Sequence, residues 1–196
     1  FQMLGAFFAM FAFSPDKIAL MVNYLSVFSS AFTVLFMFWS LTILLKKLII
    51  SEKELSTNNA IRILGSAAVA SLSFTFTDSF WYNAVEAEVY AMATFLIALL
   101  FWLGLRWEQE INTPRGNKWL LIISLVIGLS FGVHFMALLA FPAIGFLYFF
   151  KKFNNITVKS FLIANVVIIA ILLFIFKFLL RYTLAFFGKT EIFMVN

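Results

Sequence analysis

Cysteine is absent from the 196-residue chain, which excludes disulfides and thiolate metal sites and leaves the redox compartment open. Charge is scarce as well. Asp, Glu, Lys and Arg make up 12% of the residues, against about 25% in an ordinary globular domain. So little polar surface cannot cover a water-facing sphere, and no stretch reads as a soluble domain. Histidine occurs once, at His134. No internal repeat is visible.

What is present is apolar: 64% of the residues are hydrophobic, 28 are phenylalanine, and the mean hydropathy is +1.04. The phenylalanines suit lipid-facing and interhelical packing and carry no catalytic implication. The charged residues cluster, leaving apolar runs near the roughly 20 residues that a helix needs to cross about 30 Å of hydrocarbon. The net charge of +5 does not indicate a nucleic-acid partner, because the Lys and Arg sit between apolar spans and not on one continuous face.

These runs predict an all-α integral membrane protein. It is read as a single domain over 1–196, a bundle of about six transmembrane helices plus an N-terminal partial or interfacial helix over Phe1 to Phe13. Ser14-Pro15-Asp16 restarts the chain, with Ser14 as an N-cap and Pro15 in the first turn. Spans are expected at 18–45, 60–77, 89–105, 119–133, 136–150 and 161–180. The second carries Gly65, Ser66, Ala67, Ala68, Ala70, Ser71 and Ser73, small residues that predict an interior helix. The stretch 119–150 is too long for one ordinary span, and its Gly128, Gly132, His134 and Pro142 point to two short helices with a tight turn near His134. The chain starts at Phe1 inside an apolar stretch, so further sequence is expected upstream.

The positive-inside rule orients this layout. Segments 46–62, 106–118 and 151–159 hold Lys46, Lys47, Lys53, Arg62, Arg106, Arg115, Lys118, Lys151, Lys152 and Lys159, ten of the fourteen cations, and belong on the cytoplasmic side. Asp16, Asp78, Glu86, Glu88 and His134 then fall on the outer side.

The segment from Asp78 to Tyr90 is expected to be a short polar and aromatic connection, with three carboxylates beside Phe80, Trp81 and Tyr82. A carboxylate at the bilayer centre costs roughly 2.5 to 3.5 kcal/mol on insertion scales, so acids bordering a span either meet water or are kept for function. With a helix starting near Asn83, Glu86 and Tyr90 share a face, while Glu88 points about 160 degrees from Glu86. One reading makes Glu86 and Glu88 favourable charges at a helix N-terminus and Trp81 and Tyr82 an aromatic belt. The other is an outward acidic cavity that positions or deprotonates an acceptor hydroxyl or binds a divalent cation. His134 either hydrogen-bonds a substrate or caps a helix. Lys177 and Arg181, four apart on the last span, either receive a lipid-linked phosphate or snorkel to headgroups. Asn155-Ile156-Thr157 matches a glycosylation sequon but falls on the cytoplasmic side.

Three stretches carry a resemblance: Leu20-Met21-Val22-Asn23 with Ser26, Phe74 to Tyr90 including Ala84-Val85-Glu86-Ala87-Glu88-Val89-Tyr90, and Gly128-Leu129-Ser130 through Gly132-Val133-His134. In these the chain resembles a bacterial membrane family of the Bacteroidetes, allied to the eukaryotic transmembrane O-mannosyltransferase of plexin-type receptors, within the GT-C glycosyltransferases. The Glu-x-Glu-x-Tyr stretch also resembles the Glu-x-Arg-x-Tyr pattern of other GT-C enzymes, with Glu88 standing where arginine does there.

The resemblance implies an incomplete GT-C-like core in the bacterial inner membrane with a periplasmic active face. A polyprenyl-phosphate sugar donor would pass its sugar to a hydroxyl of an exported protein or envelope glycan. Glu86 is then the candidate catalytic residue. Asp78, Glu88, Tyr90 and His134 would contact substrate, and Lys177 and Arg181 the donor phosphate. The family's main catalytic acid would lie upstream of Phe1. The competing functions are a transporter or channel subunit and a non-catalytic assembly subunit. Transporters tend to place ionisable groups at broken helices near the midplane, often in repeated halves.

Overall fold

The computed structural model describes residues 1–49 and 56–195, and all regular structure among them is helical. The chain is an all-α membrane protein. Its elements are α1 (Gln2–Ala9), a 3-10 turn (Pro15–Lys17), α2 (Ile18–Ile49), α3 (Thr57–Thr75), α4 (Asp78–Val85) and α5 (Val89–Glu110). There follow α6 (Gly116–Ser130), a 3-10 turn (Phe135–Leu139), α7 (Ala140–Lys152), α8 (Val158–Phe174), a π-helical turn (Ile175–Leu179) and α9 (Leu180–Val195). Four helical runs are long and apolar enough to cross a membrane: Pro15–Ile49, Val89–Glu110, Phe135–Lys152 and Val158–Val195. A fifth results if α3 and α4, bent by 67° at their junction, count as one broken span. Apolar α6 has 15 residues, a rise of only about 22 Å.

Two compact units divide the chain, Phe1–Ile144 and Gly145–Asn196. In the first, α2 and α5 run side by side in the same direction. The pairs Phe32 with Phe95, Phe36 with Phe95, and Trp39 with Trp102 bring rings together at centroid distances of 6.0, 5.9 and 5.4 Å. Lys47 pairs with Glu108 at the far end of both helices. Parallel neighbours need a return element, and here α3 and α4 supply it, packed against α2. α6 returns along α5 after a short turn, and α1 lies against α2. In the second unit a Cβ on Gly145 would stand 3.1 Å from the Ile168 side chain, so the missing side chain allows α7 and α8 to approach. Phe161 stacks with Phe146 and Phe150 near that contact, and Phe149 meets Phe150 edge-on.

The distribution of side chains is that of a protein dissolved in lipid. Ser26, Ser30, Thr33, Ser71 and Ser130 are buried, while Leu125, Leu129, Val166 and Leu173 stand exposed. Buried hydroxyls are affordable because many bond their own helix: Ser29 Oγ donates to the Leu25 carbonyl at 2.7 Å, Thr33 Oγ1 to Ser29 at 2.9 Å and Ser71 Oγ to Ala67 at 2.8 Å.

The expected second span, 60–77, corresponds to α3, which ends at Thr75; there Phe76 and Thr77 leave helical geometry, the Thr77 hydroxyl donates to the Phe74 carbonyl at 2.8 Å, and Asp78 opens α4. Three expectations are corrected. The 78–88 connection is helical for its first eight residues. α3 is not an interior helix of its unit. It buries only the stripe Ile63, Ala67, Ser71, and a Cβ on Gly65 would meet nothing within 4 Å. The last helical run passes the expected end at 180 and continues to Val195. Lys53 and its polar stretch lie partly outside the described residues.

Candidate active site

The acidic stretch sits where α4 ends and α5 begins. Glu86 is extended (φ −107°, ψ 139°), as is Glu88 (φ −122°, ψ 166°), and the Glu88 N–H donates to the Glu86 carbonyl at 2.9 Å, folding the chain tightly over Ala87. This overturns the shared helical face of Glu86 and Tyr90. A helical i, i+4 relation requires continuous helix between the two, and here the backbone changes course at Glu86 and again at Glu88. Glu88 becomes the N-cap residue of α5, where the helix dipole favours its charge. Glu86 is half-buried, and Ala87 and Glu88 are exposed.

Two further elements meet this joint. From α2, the fully buried Ser26 donates through Oγ to the Glu88 carbonyl at 3.4 Å. One turn before it on the same helix, Asn23 places a buried Oδ1 that has no hydrogen-bond partner among the described residues. From the turn after α6, His134 stands against Tyr90 in the first turn of α5, ring centroids 5.6 Å apart, and stacks on Phe135 at 4.5 Å. Nδ1 of His134 accepts from the Met136 N–H at 3.1 Å, capping the 3-10 turn. Nε2 is the ring nitrogen left to donate outward. His134 thus caps the 3-10 turn through one ring nitrogen while its ring lies against Tyr90.

Asp78 is not part of the joint. It opens α4 while Glu86 follows its end, a helical rise of about 12 Å away, and it lines an open cavity of 380 Å³ with Ser79, Tyr82 and Asn83. Lys177 and Arg181 belong to the second unit. Both are exposed, and Lys177 lies in the π-helical turn that precedes α9, which carries Arg181. Among the described residues no three of His, Asp and Glu converge as a metal-ligand group. Thr157 of the sequon caps α8, its Oγ1 accepting from the Ser160 N–H at 3.1 Å.

Asn23 and Ser26 take on structural weight that their residue types alone do not announce. The available signal is their polarity at i, i+3, the start of a row of polar residues that continues through Ser29, Ser30 and Thr33 on α2. The joint's parts, Ser26, Glu86, Glu88, Tyr90 and His134, are drawn from the three stretches that carried the resemblance.

No curated protein and no solved structure matches the chain. A family model does match, that of the protein O-mannosyl-transferase TMEM260 N-terminal domain, over residues 1–157, which takes in the whole joint. The chain therefore belongs to the family of the protein O-mannosyl-transferase TMEM260 N-terminal domain, an O-mannosyltransferase-like group of membrane glycosyltransferases.

Proposed function

We propose that this chain is the core of a membrane glycosyltransferase of the GT-C class that moves a sugar from a polyprenyl-phosphate donor to a hydroxyl of an exported protein or envelope glycan. It works in the bacterial inner membrane, on the periplasmic face. In this transfer the acceptor oxygen bonds the anomeric carbon, the bond from that carbon to the donor phosphate breaks, and the hydroxyl proton leaves to a base. Catalysis then requires a base at the acceptor, stabilisation of the departing phosphate and alignment of both substrates. Glu86 contacts the acceptor or the sugar. Tyr90 and His134 position the sugar, His134 through Nε2, and Glu88 stands at the mouth of the joint.

The observation that carries this reading is the helix break itself. A carboxylate-bearing turn, braced by Ser26 and faced by the Tyr90–His134 pair, is an accessible and preorganised place for hydroxyl chemistry in an otherwise apolar chain. Transfer from radiolabelled polyprenyl-phosphate sugars to an envelope-protein fraction, by membranes holding the full-length protein, tests it. Glu86→Ala at equal membrane abundance should abolish transfer. Undiminished transfer by the variant, or none by the wild type across a donor panel, would overturn the proposal.

A further inference from the structure

At the end of the first unit opposite the joint, α2, α5 and α6 frame a groove of about 360 Å³ lined by Trp39, Thr42, Ile43, Trp102, Arg106 and Trp119. Its walls are a built network. Trp39 and Trp102 lie 5.4 Å apart, and Trp119 meets Trp102 edge-on at 6.1 Å. The Arg106 guanidinium sits 5.4 Å over the Trp119 ring. Glu110 clamps the two, one oxygen accepting from Arg106 Nη2 at 2.8 Å and the other from Trp119 Nε1 at 2.9 Å. Arg106 also donates to Gln109 at 3.0 Å, which leaves further N–H groups of the guanidinium unused.

Each wall continues toward the chain's cation-rich end with a positive charge. On α2, Lys46 follows Thr42 by four residues and Ile43 by three. On α5, Arg106 follows Trp102 by four. On α6, which runs the other way, Arg115 precedes Trp119 by four. Lys46 and Arg115 are exposed and have no acidic partner among the described residues. Among the described residues, five cations, Lys46, Lys47, Arg106, Arg115 and Lys118, gather there beside two acids, Glu108 and Glu110. A level of indoles followed one turn later by a ring of cations matches, in order, the acyl-to-phosphate boundary of an anionic lipid.

We propose that this groove binds an anionic phospholipid, its glycerol and upper acyl chain against Trp39 and Trp102 and its phosphate among Arg106, Lys46 and Arg115. Indole contact with the chains and charge contact with the phosphate are then parts of one event, separate from the acidic joint. Each cation lost should weaken anionic-lipid preference about fivefold.

The test uses the full-length protein reconstituted in phosphatidylcholine vesicles carrying a quarter of phosphatidylglycerol. Bromine is placed on the upper acyl chain of one lipid or the other, and tryptophan fluorescence is read. The wild type should be quenched more strongly by brominated phosphatidylglycerol at equal mole fraction. Arg106→Gln should lose most of that excess, and so should Lys46→Gln, which disturbs no ion pair among the described residues. Equal quenching by the two lipids, or an excess that survives in both variants, would overturn the proposal. So would a polyprenyl phosphate displacing phosphatidylglycerol at trace level, which would give the groove to the donor, or dimerisation that shields the indoles in phosphatidylcholine alone.

Discussion

Ser26 and Glu88 meet across 62 residues of chain, the Ser26 hydroxyl donating to the Glu88 carbonyl at 3.4 Å. The bond ties the interior of α2 to the residue from which α5 starts, so the course of the acidic turn is set by a helix that precedes it by two crossings. Ser26→Ala should cost about 1 kcal/mol of stability, the usual net worth of one hydrogen bond. Transfer should fall severalfold, because the turn loses its brace. Thermal unfolding in detergent and the transfer assay, run on the same preparation, separate the two effects.

The proposed function adds a second job, on Nε2, to the cap that His134 makes through Nδ1, and two substitutions divide them. His134→Ala removes the cap and should destabilise by about 0.5–2 kcal/mol. His134→Asn can keep an acceptor near the Nδ1 position while removing Nε2, so it should unfold close to the wild-type temperature yet transfer poorly. Full transfer by the asparagine variant would reduce His134 to its capping role.

The distance between Asp78 and the joint predicts a contrast. Glu86→Ala should reduce transfer by at least about 100-fold, the lower range for loss of general acid–base assistance. Asp78→Ala should leave it within a few-fold, since Asp78 lines a different surface. A loss at Asp78 equal to that at Glu86 would mean that the substrate spans α4.

Gly116 opens α6 where a Cβ would lie 2.8 Å from the Glu110 carbonyl oxygen and 3.1 Å from that of Ile111. Both obstacles are backbone, which cannot swing aside as a side chain does. Gly116→Ala should therefore destabilise the α5–α6 turn by about 1–3 kcal/mol, seen as a lowered unfolding temperature. Gly65→Ala, in open space on α3, should not.

Much of this architecture was legible because lipid imposes one simple demand. Apolar runs must be helical so that their own backbone groups are satisfied, and Ile18 to Leu45 reads that way directly. The helix nevertheless runs on to Ile49 through Lys46 and Lys47, since charges end a membrane crossing and leave helical bonding intact. The end of the second span near Thr77 was legible too, but the helical course of Asp78–Val85 beyond it was not, because an acid, three aromatics and an asparagine in a short stretch read as a connection. In the site, the residue types of Glu86, Glu88, Tyr90 and His134 were readable. Their arrangement was not, because it depends on an extended turn where regular helical spacing was assumed. The bond from Ser26 joins segments too distant for any local periodicity to pair them.

The segregation of charge along the first unit ties its placement to the energised state of the membrane. Among the described residues Lys46, Lys47, Arg106, Arg115 and Lys118 outnumber Glu108 and Glu110 at one end, and Asp16, Asp78, Glu86 and Glu88 outnumber Lys17 at the other. A transmembrane voltage acts on each of them, by about 2.3 kcal/mol per elementary charge per 100 mV. With the negative side at the lysines, the surplus charge at both ends favours the same orientation. A voltage of that sign works as a standing torque, holding the acidic turn toward the positive compartment and opposing inversion of the helices that carry it.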